Sequence, residues 1–298
     1  MHRALRRLSS ARFDAPLGVV AAVDRVRQRT ALDFSKARAR AGFGRGHLLD
    51  VVVYLPGGGG GSHERDAAEE LVRLVIGEEL FERWVGRVSA TPTVRGGALA
   101  VLNPSSEASA ALPLATLPDT VSAAVSALRR ELPALPAAST NEEDWLLFEL
   151  TPEPARDYPA QDDLLLCTTR LPELKKSFLR GEPFFSGRFC AGAALFTYLK
   201  YESSVASAEA RLAERSRFEE AIARVMKAEQ GSVVGLGLGL RYGYIDLALL
   251  DPDCLEERLL PALREANISR RAWLLFCDSE LERELLPVYP DSPEPYWG

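Results

Sequence analysis

The sequence predicts an α+β chain built from two tandem β-α-β-β-α-β units, each an antiparallel sheet with helices on one face. Three observations carry this. The order of apolar runs in residues 48–152 recurs in residues 195–298; such internal repetition is the first thing a sequence offers about architecture. Each copy turns a hairpin at a glycine-bearing tripeptide, Arg95-Gly96-Gly97 in one and Arg241-Tyr242-Gly243 in the other. The string WLLF closes both copies, at 145–148 and at 273–276.

In the first copy, LLDVVVYLP (48–56) is a continuous apolar run bounded by glycines, the pattern of a buried strand. A Gly-rich loop follows, with Ser62 as helix cap and Glu64 in the first turn. Ala68, Leu71, Val72 and Val75 then keep helical spacing on one face. VGRVSATPTV and ALAVLN flank the Gly-Gly turn as paired strands. A second helix carries Val121, Ala124, Val125, Leu128 and Leu132 on one side, and WLLFELTP (145–152) is the closing strand.

The second copy repeats this order. LFTYLKYES (195–203) is a strand, 206–229 a long helix ended by Gly231, SVVGLGLGL and YIDLALLD a hairpin, DCLEERLLPALREAN a helix that Pro261 must start, kink or split, and AWLLFCD (272–278) the last strand. The implied architecture is a pair of ferredoxin-like sandwiches at 48–152 and 195–298. They are joined by 153–194, which offers an extra strand (DLLLCTT) and a short helix (LPELKKSFLRG) after the Pro-rich stretch LTPEPARDYPAQ. Residues 1–47 read as a basic N-terminal extension, with a short helix over 19–29.

Charge narrows the partners. The net charge is −6, yet residues 1–50 hold 11 Lys and Arg against 4 acids, so the body of the chain is acidic. An acidic body disfavours the phosphate neutralisation that nucleic-acid binding needs and suits a basic partner. The four cysteines, Cys167, Cys190, Cys254 and Cys277, lie far apart with no C-x-x-C pair, which fits reduced buried thiols in a cytoplasmic protein. The three histidines all precede residue 64, out of line with the cysteines, so no metal is expected.

GSVVGLGLGLRYGYIDLALLD (231–251) places glycine at 235, 237 and 239. A dinucleotide fingerprint needs G-x-G-x-x-G opening into a helix, and here both the spacing and the continuation as a strand fail. Strand alternation explains the pattern. Leu236, Leu238 and Leu240 point toward the helices with Ile245, Leu247 and Leu249, while the glycines share the opposite face with Tyr242, Tyr244, Asp246 and Ala248. Three strand glycines cost about 0.5–1 kcal/mol each relative to alanine, so something is expected to lie across the bare backbone: an aromatic ring, another sheet, or a second copy pairing through the sheet faces. Gly235, Gly237, Gly239, Arg241, Tyr242, Tyr244 and Asp246 are therefore the candidate ligand or partner face.

Other chemistry lacks parts. The Gly-rich loop before Ser62 offers an anion site at His63 and Arg65, but it has no G-K-[ST], and Glu64, Asp66, Glu69 and Glu70 crowd it. RYGYIDL (241–247) resembles the third-strand motif of the RNA-recognition motif, with Tyr242 and Tyr244 as stacking rings. It lacks the glycine after Arg241, has Leu247 in place of a third aromatic, and carries Asp246 on the binding face. No catalytic constellation assembles and no cofactor is implied. The function expected from these features is non-catalytic recognition of a basic protein partner, as in a bacterial immunity or antitoxin-like role. A ligand-sensing or enzymatic cleft at the glycine face and an RNA-binding unit are the alternatives.

Overall fold

The computed structural model describes residues 13–58, 60–92, 111–133, 145–191, 194–227, 230–251 and 253–298. Among them the chain is mixed α+β, with seven α-helices and two sheets of four and seven strands. It divides into two units, Arg12–Arg130 and Glu131–Gly298, whereas the sequence placed the break at 152.

The first unit contains α1 (Val19–Thr30), β1 (Arg38–Phe43), β2 (Leu49–Tyr54), α2 (Ser62–Ile76), α3 (Glu78–Trp84), β3 (Val85–Thr91), β4 (Leu112–Pro113) and α4 (Leu117–Glu131). Its sheet order is β3-β2-β1-β4. Strands β2 and β3 are adjacent and parallel, and the chain between them crosses over through α2 and α3. Ala68, Leu71, Val72 and Val75 are buried, so the helical stripe of α2 faces the core as its spacing requires. Three expectations change. This sheet does not have the strand order of a ferredoxin-like unit, because a parallel partner lies directly beside β2. The span 1–47 is not wholly an extension, since α1 buries Ala22, Val23 and Val26 and β1 pairs with β2. The strand at 145–152 belongs to the other sheet. The hairpin turning at Arg95-Gly96-Gly97 lies outside the described residues.

The second unit contains β5 (Leu146–Glu149), β6 (Leu164–Thr169), α5 (Pro172–Leu179), β7 (Leu195–Glu202), α6 (Ala208–Val225), β8 (Gly231–Gly239), β9 (Tyr242–Leu249), α7 (Leu260–Glu265), β10 (Ala272–Phe276) and β11 (Leu285–Pro287). The order is β11-β10-β7-β9-β8-β6-β5, and every neighbouring pair is antiparallel. The run β7-α6-β8-β9-α7-β10 occupies the centre, flanked by β11 on one side and by β6 and β5 on the other.

Helix α6 starts at Ser207, whose hydroxyl accepts from the Ala210 amide at 3.2 Å, a standard N-cap. It ends at Val225 and not at Gly231, which opens β8. Pro261 splits its helix: a π-helical turn spans Leu255–Leu259, and α7 begins with the proline in its first turn, where the missing amide costs nothing. The β8-β9 hairpin turns at Leu240 and Arg241, one step earlier than expected. Gly243 sits inside β9 because the Tyr201 ring occupies the space a Cβ would need. The four cysteines are free, three of them buried.

Candidate functional site

The two faces of the second sheet bury different chemistry. On one face Leu199, Ile245, Leu247, Leu249, Leu274 and Phe276 pack with Phe218 and Ile222 of α6 and with Leu255, Leu259 and Leu263 around α7. The other face carries Tyr198, Lys200, Tyr242, Tyr244 and Asp246, and the chain's own segment 156–163, with α5, lies across it. Neighbouring side chains from β9, β6 and this strap occupy the space beside the three glycines. A Cβ at Gly235 would run into the Asp246 carboxylate and one at Gly239 into the Asp163 carboxylate, while at Gly237 it would come within 2.7 Å of Leu164.

Asp246 is 7 % exposed and is held by Lys175, 2 % exposed, whose Nζ donates to Oδ2 at 2.8 Å. Gln161 closes a triangle: its Nε2 donates to Asp246 Oδ1 at 2.8 Å, and its Oε1 accepts from Lys175. Asp163 is fully buried. Its Oδ2 accepts from the backbone amides of Arg241 at 2.8 Å and Tyr242 at 2.9 Å, and its Oδ1 accepts from the Tyr244 hydroxyl. Buried charge is tolerated only when it is paired in this way.

At the end of the strap the Tyr242 hydroxyl donates to Asp157 at 2.6 Å, and Arg271 donates to both Tyr242 Oη and Asp157, each at 2.8 Å. Arg241 donates to Glu202 at 2.8 Å and to the Arg156 carbonyl at 2.6 Å. Lys200 donates to the Tyr158 carbonyl, and its ammonium lies 4.3 Å from the centre of the Tyr242 ring, within cation–π range.

These surroundings shift the titrating groups. Burial pushes Lys200 down to about 8, against the pull of Asp163, Asp157 and Asp162. Burial raises Tyr242 to about 12 and Tyr244 well above the usual tyrosine range, with their carboxylate partners adding to the effect. Burial opposes the ionisation of Asp157, yet the Tyr242 hydroxyl, the Tyr158 amide and two arginines hold its carboxyl below the ordinary value.

The candidate face is thus brought together but covered. Tyr242 and Tyr244 are fully buried, so neither ring is placed to stack on a base, and Asp246 is spent on Lys175 and Gln161. The cavity beside that triangle, lined by Gln161, Lys175, Phe178, Asp246 and Cys277 among others, measures about 10 Å³, room for one water at most. Arg241 lies at the rim, about a third exposed.

Lys175 and Lys200 had a legible signal. Lys175 falls on the apolar stripe of α5, with Leu171, Leu174 and Phe178, and Lys200 alternates with Phe196 and Tyr198 on β7. A charge on an apolar stripe asks for a buried partner.

A second buried polar group lies in the loop before β7. Ser186 donates its hydroxyl to Asp278 and accepts from the Phe196 amide at 3.0 Å, and Asp278 also accepts from the Ser186 amide at 2.8 Å. Arg188, fully buried nearby, donates to the Pro183 carbonyl and is lowered to about 10 by burial. The hydroxyl is saturated and fastens the loop to β10.

In the first unit, His63 Nε2 lies 3.2 Å from the Thr30 carbonyl, and Arg65 is exposed beside Asp66 at 3.6 Å. Glu64 folds back to within 2.9 Å of where a Gly61 Cβ would stand, so the chain's own carboxylate occupies the start of α2. An open depression of about 430 Å³ is lined by Arg25, Arg29, Asp66, Glu69, Glu70, Arg73 and Leu74, and its charges pair internally, as in Arg29 with Glu70. Among the described residues no group of three or more His, Cys, Asp or Glu side chains could hold a metal, and no helix is long and apolar enough to cross a membrane. No family model, no curated protein and no solved structure matches this chain.

Proposed function

We propose that this chain is a non-catalytic cytoplasmic binding protein that recognises a protein partner with a basic surface, in the manner of a bacterial immunity protein or antitoxin. The central run β7-α6-β8-β9-α7-β10, read as a ferredoxin-like unit extended by three strands, serves as its rigid scaffold.

The observation that carries this reading is where the charge resides. Residues 131–298 hold 18 Lys and Arg against 29 Asp and Glu. Among the described residues the buried charges of this unit nearly cancel, three cations (Lys175, Arg188 and Lys200) against four acids (Asp163, Glu214, Asp246 and Asp278). Among the described residues the acidic excess therefore lies outside the core, at exposed positions such as Asp253, Glu256, Glu257, Glu282, Asp291 and Glu294. A surface of one sign steers a partner of the opposite sign and suppresses others. The saturation of Asp246, Tyr242 and Tyr244 by the strap supports a structural use of the glycine face over a catalytic one.

The test is binding between the purified full chain and a protein captured with it. Retention is expected to fall steeply with salt and by about tenfold on double reversal of Glu256→Lys and Glu257→Lys, for loss of on the order of 1.4 kcal/mol. A captured partner of acidic surface, or binding indifferent to salt and to the reversal, overturns the reading.

A further inference from the structure

We propose that the chain cross-links itself: Lys175 and Gln161 become joined by an isopeptide bond, with loss of ammonia and with Asp246 carrying the protons. The triangle of strap, α5 and β9 side chains supplies a nucleophile, an acyl group and a proton carrier in contact. Lys175 Nζ touches Gln161 Oε1. The carbonyl carbon Cδ lies one C=O bond, about 1.2 Å, from that oxygen. Attack on it proceeds from a separation of roughly 3–3.5 Å, so a small turn of the amide suffices.

One carboxylate bridges the two nitrogens that exchange places. Asp246 Oδ2 accepts from Lys175 Nζ, and Oδ1 accepts from Gln161 Nε2, each at 2.8 Å. These partners fix the orientation of the amide, because an ammonium only donates and a carboxylate only accepts. The nitrogen that must leave is therefore the one already bonded to the acid.

Asp246 takes one proton from the Lys175 ammonium, which frees the lone pair on Nζ. Nζ attacks Gln161 Cδ, and the acid gives its proton to Nε2 as the Cδ–Nε2 bond breaks. Nε2 departs as ammonia, the new amide keeps one hydrogen on nitrogen, and the last proton returns to Asp246. The buried ion pair ends as a neutral amide beside a neutral acid, which low polarity favours.

The surroundings suit this reaction. Gln161, Lys175 and Asp246 are all buried, so water does not compete for the acyl carbon. The adjoining cavity of about 10 Å³ has room for one water-sized molecule, and ammonia is that size. Cys277 lines the same cavity, but burial, with Asp246 and Asp278 adding to it, holds its thiol well above the usual range and out of the competition. The ionic triangle is the state before the bond forms. Once formed, the bond closes a covalent loop that contains β6 and fixes the strap to α5.

The test is mass spectrometry of the full chain, intact and after tryptic digestion, sampled over days of warm incubation. The chain is expected to lose the mass of one ammonia at a rate independent of its concentration. Residues 157–170 should then appear joined to 171–176 in one branched peptide. Asp246→Asn keeps the shape without the proton carrier and should slow formation of that peptide at least about a hundredfold. Gln161→Met should abolish it. Circular dichroism checks that each variant folds, and the parent chain alone decides the matter where one does not. A parent that keeps its full mass overturns the proposal. So does loss of one water with Lys175 joined to Asp246, or a folded Asp246→Asn chain that links as fast as the parent. None of these results bears on the acidic partner surface.

Discussion

The two faces of the seven-stranded sheet are made by the same strands but are buried by opposite means. Under α6 and α7 the contact is leucine, isoleucine and phenylalanine against each other; under the strap it is carboxylate, ammonium, amide and phenol. An apolar layer gains roughly in proportion to the area it removes from water and loses by degrees when trimmed. A buried ionic layer is close to neutral when complete and heavily destabilising when one member is missing. The first is forgiving of sequence, and the second specifies one arrangement.

The sharpest way to break that contrast is Asp246→Ala. It leaves the Lys175 ammonium buried without a counter-charge and should cost about 3–5 kcal/mol in urea denaturation. The pair Lys175→Met with Asp246→Leu should recover most of that loss, whereas nothing comparable rescues Phe218→Ala on the apolar face. If the double variant is as unstable as Asp246→Ala, the layer is not ionic in its energetics.

Next in size is Gly235→Ala, where the new methyl meets the Asp246 carboxylate. A loss of about 1–3 kcal/mol is expected, the ordinary range for overpacking, measured by the same denaturation. A gain in stability there would mean the Asp246 carboxylate is not held against β8.

The smallest effect is the most specific. The folded pKa of Lys200, about 8, lies below its unfolded value of 10.5, so the folded state releases this proton first. The penalty for holding the charged amine is fully present below pH 8 and is relieved as pH rises through 8 to 10. Stability should therefore increase over that window by on the order of 1–2 kcal/mol from this group. Above pH 10 the sign reverses, because Tyr242 and Tyr244 keep their protons in the fold while their unfolded counterparts ionise. Denaturation midpoints measured from pH 7 to 11 should pass through a maximum, and Lys200→Met should remove the rising limb. A rise of the same size in Lys200→Met would assign it to other groups.

The apolar face was legible and the ionic one largely was not, for a physical reason. Ile245, Leu247 and Leu249 announce their face by alternation alone, and so do the glycines opposite them. The residues that hold this face, Gln161 on Asp246 and Asp163 against Gly239, come from a stretch, RDYPAQDD (156–163), whose acids and proline read as a solvated linker. Burial of an Asp is decided by partners far away in the chain, as Asp163 is by the amides of Arg241 and Tyr242. The strand β1, RARAGF, escaped for a similar reason: its arginines hide the period, and its inward residue is only Ala39. The closing strand that the sequence predicts over 145–152 is a strand at Leu146–Glu149 but belongs to the other sheet, because an apolar string does not say which neighbour it will choose.

The repeat in β8 carries a hazard that the strap resolves. Glycine and leucine alternating through 235–240 look the same after a slip of two residues, so hydrophobic patterning alone would let β8 slide along β9 at little cost. Two irregular features forbid the slide: the shift between Val233 and Gly235, which only one alignment accommodates, and the Asp163 carboxylate pinned at the hairpin tip. The strap thus works as an alignment gauge, and a chain whose strap is cut or neutralised should populate misaligned hairpins that keep their secondary structure but refold slowly.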